Sequence, residues 1–253
     1  MTVTPEPAGG GCAECQGTGW ILDDAAGNRV ARRCHCLQDL RRQNLLDRAR
    51  IPRRYRNCTL ANFDALNDSL RHALKIARKF VKDYPAPDVG LLFIGPCGVG
   101  KTHLAAAVVQ ELVLKKNVPG VFTDFRDLIR EIQSTFSADS FISESDVLAP
   151  IFQCDVLVLD ELGAKRTTAW VEETVFYIIN HRYNNKKMTL FTTNYPDTDA
   201  EEDARDSMYK KTGDTLVDRI GIRLRSRIYE MCKVVEMSGD DYRKTVKQAG
   251  YRF

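Results

Sequence analysis

The sequence has little of what would direct it to a membrane or out of the cell. It lacks any apolar run approaching the roughly 18 residues that a membrane span requires. Its first residues, MTVTPEPAGGG, have neither the basic start nor the apolar centre of a secretory signal. We therefore predict a cytoplasmic protein without a membrane partner, in which the eight cysteines are reduced thiols or metal ligands.

A strong overall charge is also absent. The formal net charge of +3 is too small to indicate nucleic-acid binding by itself. The distribution is uneven, because ten arginines lie between Arg29 and Arg56 against only Asp39 and Asp47. Such a stretch suits phosphates or an acidic partner surface, although a solvated helix face is an equally good interpretation.

With 253 residues, 43% of them hydrophobic and no internal repeat, the chain has enough material for one main domain and a small module. Leucines spaced among charges predict an amphipathic helix over residues 37–50, which ends at Ile51 because the next residue is proline. We place the module at residues 1–50 and the main domain at residues 51–253.

The main domain alternates between buried strands and helices. Strands are predicted over 89–94, 120–125, 155–159 and 188–193, and helices over 103–116, 127–136 and 170–183. This order predicts an α/β fold with a parallel sheet covered by helices on both faces. Such sheets bind ligands at the carboxyl ends of their strands.

The clearest motif is a complete phosphate-binding loop, or Walker A motif. It consists of Gly95, Pro96, Cys97, Gly98, Val99, Gly100, Lys101 and Thr102, between a predicted strand and a predicted helix. Glycines let backbone N–H groups surround phosphate oxygens, and the following helix presents its positive end to the same anion. We expect Lys101 to reach the terminal phosphates of ATP and Thr102 to be a magnesium ligand.

Polar residues follow two further strands. Asp160 and Glu161 come after the apolar residues 156–159, which is a Walker B arrangement. There Asp160 would hold magnesium, and Glu161 would polarise the water that attacks the γ-phosphate. Asn194 ends the strand LFTTN and is a candidate to bind that water or the phosphate, although asparagine in this position often only makes a turn.

Four cysteines gather in a segment too short to have a core of its own. Cys12, Cys15, Cys34 and Cys36 offer soft ligands whose binding to zinc would supply the folding energy that the segment lacks. The one-residue gap between Cys34 and Cys36 is unusual, so His35 could replace one of the cysteine ligands. The same four residues could also hold an iron–sulfur cluster or remain free thiols.

The order GPCGVGKTHLA, VLVLDELG and FTTNYP, with IPRRYRNCTLANF before it and LRSRIYEMCKVVEMSGDDYR after it, resembles a known family. It is similar to the AAA+ branch that contains the helicase loader DnaC and the transposition helper IstB, over residues 50–245. The resemblance implies a P-loop ATPase without a C-terminal lid. It also implies an oligomer that binds ATP between neighbouring subunits.

The same resemblance implies roles for several residues. Arg227 matches the arginine finger given to a neighbour's ATP, with Arg219 as the second choice, since a guanidinium can meet two phosphate oxygens at once. Arg243 matches a position that senses nucleotide within its own subunit. His103, directly after the phosphate-binding loop, is counted with the nucleotide site.

Single-stranded DNA is expected along the inner face of the oligomer. The matching positions are Phe136, Thr168 and Trp170, flanked by Lys165 and Arg166. Aromatic rings stack on any base and the cations meet phosphates, which suits binding without sequence preference. Trp170 is equally well interpreted as a core residue.

The resemblance predicts an ATP-dependent helicase loader that acts on single-stranded DNA and a replicative helicase. The N-terminal module and the stretch from Arg29 to Arg56 are candidate docking sites, although a zinc site that only stabilises the N-terminus is an equally good interpretation of the module. A second hypothesis is a transposition helper of the IstB type. A third is a nucleotide-dependent interaction module with little hydrolysis, against which the Asp160 and Glu161 pair argues.

Overall fold

The N-terminal module is a small hairpin followed by a helix. A computed structural model describes residues 12–25, 28–86, 89–137, 139–165, 168–197 and 215–245. In it, β1 (Trp20–Ala25) pairs antiparallel with β2 (Asn28–Arg33), and α1 (His35–Arg48) follows. Cys15 and Cys34 are buried, whereas Leu22 and Val30 are exposed. The hairpin therefore has no apolar centre comparable to that of the main domain.

The last turn of α1 packs against the main domain. Leu45 and Leu46 contact its apolar core, and Ala49 is completely buried. The carbonyl of Ala49 accepts a hydrogen bond of 2.8 Å from the backbone N–H of Phe122. Arg50 lies 3.3 Å from a carboxylate oxygen of Glu131. The junction between the two predicted units is thus a packed contact.

A parallel sheet of five strands forms the centre of the main domain. The strands are β3 (Gly90–Ile94), β4 (Gly120–Asp124), β5 (Val156–Asp160), β6 (Met188–Thr193) and β7 (Cys232–Glu236). Their order across the sheet is β4, β5, β6, β3, β7, and all four neighbouring pairs are parallel. Each strand therefore ends at the same edge of the sheet.

Helices cover both faces, which confirms the predicted fold class. One face carries α2 (Asp68–Asp83) and α3 (Lys101–Lys116). The other carries α4 (Phe125–Ser134), α5 (Glu144–Gln153), α6 (Ala169–Asn184), α7 (Leu216–Ile220) and α8 (Ile222–Met231). A short helix, α9 (Tyr242–Thr245), follows β7. Within the described ranges, no helix has the length and apolar character that crossing a bilayer requires.

Alternating side chains of the strands divide the core into two layers. Leu91 and Phe93 of β3 pack on the α2 and α3 side, whereas Leu92 and Ile94 pack on the α4 to α8 side. This alternation is what a strand buried on both faces requires, because successive side chains point in opposite directions.

One arginine lies completely inside the second layer. Arg182 of α6 donates to the carbonyls of Ile151, Cys154 and Met188 at 2.7, 3.1 and 2.5 Å, and to the hydroxyl of Thr189 at 2.9 Å. These groups lie at the end of α5 and the start of β6. Arg182 therefore satisfies backbone acceptors that would otherwise be buried without a donor.

Candidate functional site

The phosphate-binding loop lies between β3 and α3, at the edge where the parallel strands end. Gly98 and Gly100 have φ angles of 86° and 98°, in the left-handed region that favours glycine. A Cβ atom on Gly95 would lie 1.9 Å from the carbonyl oxygen of Met237. Gly98 and Gly100 are therefore required for the turn, and Gly95 is required for the close approach of the chain that follows β7.

Lys101 directs its ammonium group into this loop. Its Nζ atom donates to the carbonyls of Gly95 and Pro96, both at 2.7 Å, and only 6% of the residue is exposed. Burial lowers the pKa of Lys101 to about 8, although the nearby carboxylate of Asp160 acts in the opposite direction. The side chain thus carries a largely desolvated positive charge at neutral pH, which suits a phosphate oxygen.

Asp160 joins two hydroxyl groups at the end of β5. Its Oδ1 atom accepts from Thr102 at 3.0 Å and from Thr192 of β6 at 2.5 Å. Burial raises the pKa of Asp160 to about 6, while the two hydroxyls act to lower it. The carboxylate and the Thr102 hydroxyl are hard oxygen donors, so this pair fits the magnesium ion that accompanies ATP.

Glu161 is held in place by its backbone and by an arginine. Its φ angle is 55°, which is uncommon outside glycine, and its N–H donates to the Thr192 hydroxyl at 2.9 Å. Arg126, in the first turn of α4, donates from Nη2 to a Glu161 oxygen at 2.5 Å. Asp124 caps α4 and accepts from the Arg126 N–H at 2.7 Å. The carboxylate of Glu161 is therefore tied to α4.

Three further predicted site residues lie around this centre. Asn194 directly follows β6 and is half-buried. Cys97 is exposed within the phosphate-binding loop. His103 contacts the segment before α2, with its Nε2 atom 3.0 Å from the Thr59 carbonyl and 3.1 Å from Asn62 Oδ1.

The segment after β7 covers the loop from another side. The N–H of Tyr242 donates to the Gly98 carbonyl at 3.2 Å, and its hydroxyl donates to Asp64 at 2.5 Å. Arg243 follows on α9 with an exposed side chain. Its positive charge adds to the effect of burial in lowering the pKa of Lys101, which indicates that Arg243 lies near the phosphate-binding loop.

The two arginine-finger candidates contact residues of their own subunit. Arg227 of α8 donates to Asn180 Oδ1 at 2.5 Å and lies 4.4 Å from the ring centroid of Tyr183. Arg219 of α7 lies 4.5 Å from the ring centroid of Tyr195. Their action on a neighbour's nucleotide remains a prediction.

Two of the predicted DNA contacts touch each other. The rings of Phe136 and Trp170 meet edge to face at 5.5 Å between centroids. Phe136, just after α4, is 59% exposed, whereas Trp170 is half-buried against the core. Trp170 thus packs on the core and supports the exposed ring of Phe136, while its contact with DNA stays a prediction.

The remaining predicted DNA contacts lie around these rings. Lys165 donates to Gln133 of α4 at 3.3 Å. The hydroxyl of Thr168 caps α6 and accepts from the Val171 N–H at 3.4 Å. Arg166 lies outside the described residues. The predicted DNA surface and the ion pair of Arg126 therefore share α4.

The four cysteines of the module converge on one point. Cys12 and Cys34 have their sulfur atoms 3.6 Å apart, and Cys15 and Cys36 have theirs 3.4 Å apart. All four lie within 4.8 Å of one another. The N–H of Gly19 donates to Cys15 at 3.3 Å, which favours a thiolate there.

A bound cation would allow all four thiols of this cluster to ionise. Hydrogen bonding to Cys15 raises the pKa of Cys36 to about 12, so the four thiols cannot all ionise without a positive partner. His35 has its Nδ1 atom 3.7 Å from Cys34 Sγ and 3.2 Å from a carboxylate oxygen of Glu14, and the pair of His35 with Glu14 is exposed. The geometry therefore fits a zinc site made of the four cysteines better than one that includes His35.

Sequence reasoning missed two contacts of the site. The ion pair of Arg126 with Glu161 joins residues 35 positions apart, and the bond of Tyr242 with Asp64 joins residues 178 apart. The pairing of β4 with β5 brings Arg126 and Glu161 together, and no local sequence pattern predicts that pairing. The aromatic residue of the terminal GDDYR stretch was the available signal for the second contact.

Comparisons with known proteins agree with this geometry. The family model described as "IstB-like ATP binding protein" matches residues 27–250. The replicative helicase loader DnaC of Escherichia coli K12 is 28% identical over 212 residues, which cover 84% of this chain and 80% of that protein. The phage-like element PBSX protein XkdC of Bacillus subtilis is 26% identical over 251 residues, covering 95% and 84%.

A solved structure is also similar to this chain. The crystal structure of the DnaC helicase loader superposes with a TM-score of 0.62 at 36% identity, covering 74% of this chain and all of that one.

Proposed function

The chain belongs to the family of IstB-like ATP binding proteins, in the AAA+ branch that contains DnaC, and we propose that it is an ATP-dependent helicase loader. It acts on single-stranded DNA and on a replicative helicase in DNA replication. The observation that carries the ATPase part is the Asp160 carboxylate, which joins Thr102 of the phosphate-binding loop to Thr192 beside Glu161. The names of the relatives support the loader part.

ATP binds with its phosphates in the loop formed by residues 95–102. Backbone N–H groups and the Lys101 ammonium neutralise the phosphate oxygens, and the start of α3 adds its positive end. Thr102 and Asp160 would hold the magnesium ion, which would offset the charge that develops on the phosphates during transfer. Glu161 accepts a proton from the attacking water, and Asn194 helps to orient that water.

The ion pair of Glu161 with Arg126 restrains this chemistry. While the Arg126 bond persists, this carboxylate oxygen of Glu161 is occupied by a donor on α4. Release of Glu161 therefore requires a shift of Arg126, which lies on the same helix that leads to Phe136. Single-stranded DNA that stacks on Phe136 is thus in a position to influence hydrolysis.

Oligomerisation completes the site. Arg227 reaches the ATP of a neighbouring subunit after leaving Asn180, with Arg219 as the second candidate. Arg243 responds to nucleotide within its own subunit, because the α9 turn lies against the phosphate-binding loop.

Each of the two predicted units has a separate role in this proposal. Residues 51–253 are the ATPase domain, and residues 1–50 are the zinc-stabilised module that docks the helicase. The Arg-rich stretch extends this docking surface, since α1 carries exposed Arg41 and Arg48 beside exposed Leu37 and Leu40. The protein works in the cytoplasm, where replication proteins meet their DNA.

The test is the variant Glu161→Gln. We expect it to bind ATP as tightly as wild type and to hydrolyse it at least about 100-fold more slowly, because the general base is lost. It should also accumulate a complex with single-stranded DNA and the cognate helicase, measured by mass photometry alongside phosphate release. The matched control is Glu173→Gln, an exposed glutamate on α6. Normal turnover in Glu161→Gln would overturn the assignment.

The family description favours a transposition helper of the IstB type as a second candidate. Such a protein would act with duplex DNA and a transposase. Phosphate release measured with single-stranded and then with duplex DNA separates the two, because a loader should respond mainly to the single strand. Turnover close to zero under all conditions, with ATP still bound, would instead indicate a nucleotide-dependent interaction module.

A further inference from the structure

The loop between α4 and α5 presents an exposed apolar tip surrounded by carboxylates. Phe141 is fully exposed and Ile142 is 58% exposed. Asp139, Glu144 and Asp146 flank them, and the sequence from 134 to 149 contains no lysine or arginine. We call residues 139–146 the acidic tip. Its charge repels phosphates, so nucleic acid is a poor partner for it, whereas its exposed apolar side chains favour contact with protein.

A basic groove of about 550 Å3 lies between α2, α3 and the segment before α2. Its lining includes Leu60, Val81, Arg78, Lys82, Lys115 and Lys116. Leu60 and Val81 belong to the apolar core and are only 3% and 6% exposed, while Arg78, Lys82 and Lys115 are exposed. The groove also includes Glu111, which accepts from Lys115 at 2.6 Å. Its balance is therefore three positive charges, from four cations and one carboxylate.

The tip and the groove are complementary in charge, since the tip carries three carboxylates and the groove has an excess of three positive charges. The tip adds exposed apolar side chains, and the aliphatic stems of the lysines and the arginine in the groove offer apolar surface beside its charges. They lie on opposite faces of the sheet, because α4 and α5 cover one face and α2 and α3 cover the other. One chain cannot bring its own tip to its own groove.

We propose that the acidic tip of one copy docks into the basic groove of a second copy, with Phe141 as its anchor. The contact is heterologous, because two different surfaces meet, and repetition of such a contact generates a ring or an open helical assembly. This deepens the oligomer that forms part of the proposed function and rests on it to that extent. The groove adjoins the far end of α3, the helix that begins with Lys101 and Thr102.

The test is a charge exchange in the full chain, with self-association measured by sedimentation velocity. Samples contain magnesium and a non-hydrolysable ATP analogue, or no nucleotide. Asp139→Lys, Lys82→Glu and Phe141→Ser should each weaken self-association about tenfold or more, since each removes a charged or aromatic anchor. The double variant Asp139→Lys with Lys82→Glu should recover most of the loss, because the exchanged charges attract again.

The control is Leu22→Ser, which removes a comparably exposed side chain (65%) from β1 and should leave self-association unchanged. Thermal unfolding of each variant shows that the fold is intact. Unchanged association in Phe141→Ser, or a double variant weaker than both single variants, overturns the proposal. So does a wild-type protein that remains monomeric in every sample.

Loss of helicase binding in Phe141→Ser, with normal self-association, also overturns the proposal and assigns the tip to another partner. Wild-type protein that binds no ATP but associates through the tip would contradict the proposed function and keep this contact.

Discussion

The carboxyl edge of the sheet and the N-terminal module differ in which side chains they bury. At the edge, polar groups are buried, with Lys101, Asp160 and Thr192 only 6%, 5% and 1% exposed. In the module, apolar groups are exposed, with Trp20 at 48% and Leu22 at 65%. A large apolar core allows the first region to bury charge, whereas the second region has sulfur atoms at its centre instead of a core.

This difference predicts how each region responds to damage. In the main domain, strands and helices position the polar site, so a single polar change within that site should alter its chemistry and leave the fold intact. The module has too few buried side chains to fold through packing alone, so loss of the proposed zinc ion should unfold it.

The variant Cys15→Ser tests this difference most directly and should have the largest effect. We expect the wild type to hold one zinc ion per chain and Cys15→Ser to hold none, because three thiolates bind zinc weakly in so small a module. Residues 12–33 of the variant should also become sensitive to protease. ATP affinity should change less than about threefold, as the nucleotide site has its own core. Metal analysis, limited proteolysis and calorimetry with ATP measure these three quantities.

Cys58→Ser is the matched control for this prediction, because Cys58 is not part of the four-cysteine cluster. It should keep its zinc. Full zinc occupancy in Cys15→Ser, or ATP binding lost together with zinc, would show that the two regions are not independent.

A large effect is also expected inside the ATPase core from Arg182→Met. The carbonyls of Ile151, Cys154 and Met188 would lose their donor, and we expect the free energy of unfolding to fall by about 3 kcal/mol. Urea denaturation of the full chain measures the change. The exposed Arg223→Met is the control. A loss below about 1 kcal/mol would indicate that the core tolerates unsatisfied carbonyls at this position.

A moderate effect is expected from Arg126→Ala, which sharpens the contrast between fold and chemistry. Removing the partner of Glu161 should raise ATP turnover without DNA by about two- to fivefold, because a half-exposed ion pair contributes up to about 1 kcal/mol. Thermal stability should hardly change. Phosphate release is compared with that of Arg130→Ala, a change elsewhere on α4. Slower turnover in Arg126→Ala would mean that Arg126 assists hydrolysis.

The smallest effect is expected from Cys97→Ser within the phosphate-binding loop. Its side chain is exposed, so ATP affinity should stay within about twofold of wild type. Alkylation of wild type should nevertheless block ATP, since the added group would occupy space at the phosphates, and Cys97→Ser should be protected. Calorimetry before and after treatment decides this. Unchanged affinity of alkylated wild type would rule out the steric effect.

Much of the fold follows from local patterns in the sequence. The strand predicted over 188–193 has the bounds of β6, and the helix predicted over 103–116 differs from α3 only at its start. These segments carry continuous apolar runs or a glycine loop, and both signals are local. Helix α2 was not predicted, although Asn67 caps it and Leu70, Leu74 and Val81 recur at helical spacing.

The chemistry of the site was predictable where neighbouring residues encode it. Lys101, Thr102, Asp160 and Glu161 belong to two short motifs. Asp160 accepts from Thr102 and from Thr192, and Thr192 accepts from the Glu161 N–H, so these bonds join three of the four at one edge. The pairing of Arg126 with Glu161 depends on which strands are neighbours, which is a property of the topology. The burial of Arg182 likewise depends on the meeting of α5, α6 and β6.

The hydrogen bond between Ala49 and Phe122 has a practical consequence for work on this protein. It places chain from outside the sheet along the free side of β4, which is an outer strand. A fragment that starts at residue 51 would remove this covering together with Leu45 and Leu46, uncovering an apolar strip beside unpaired backbone. Such fragments tend to stick together edge to edge. Expression trials of the isolated ATPase should therefore retain the final turns of α1.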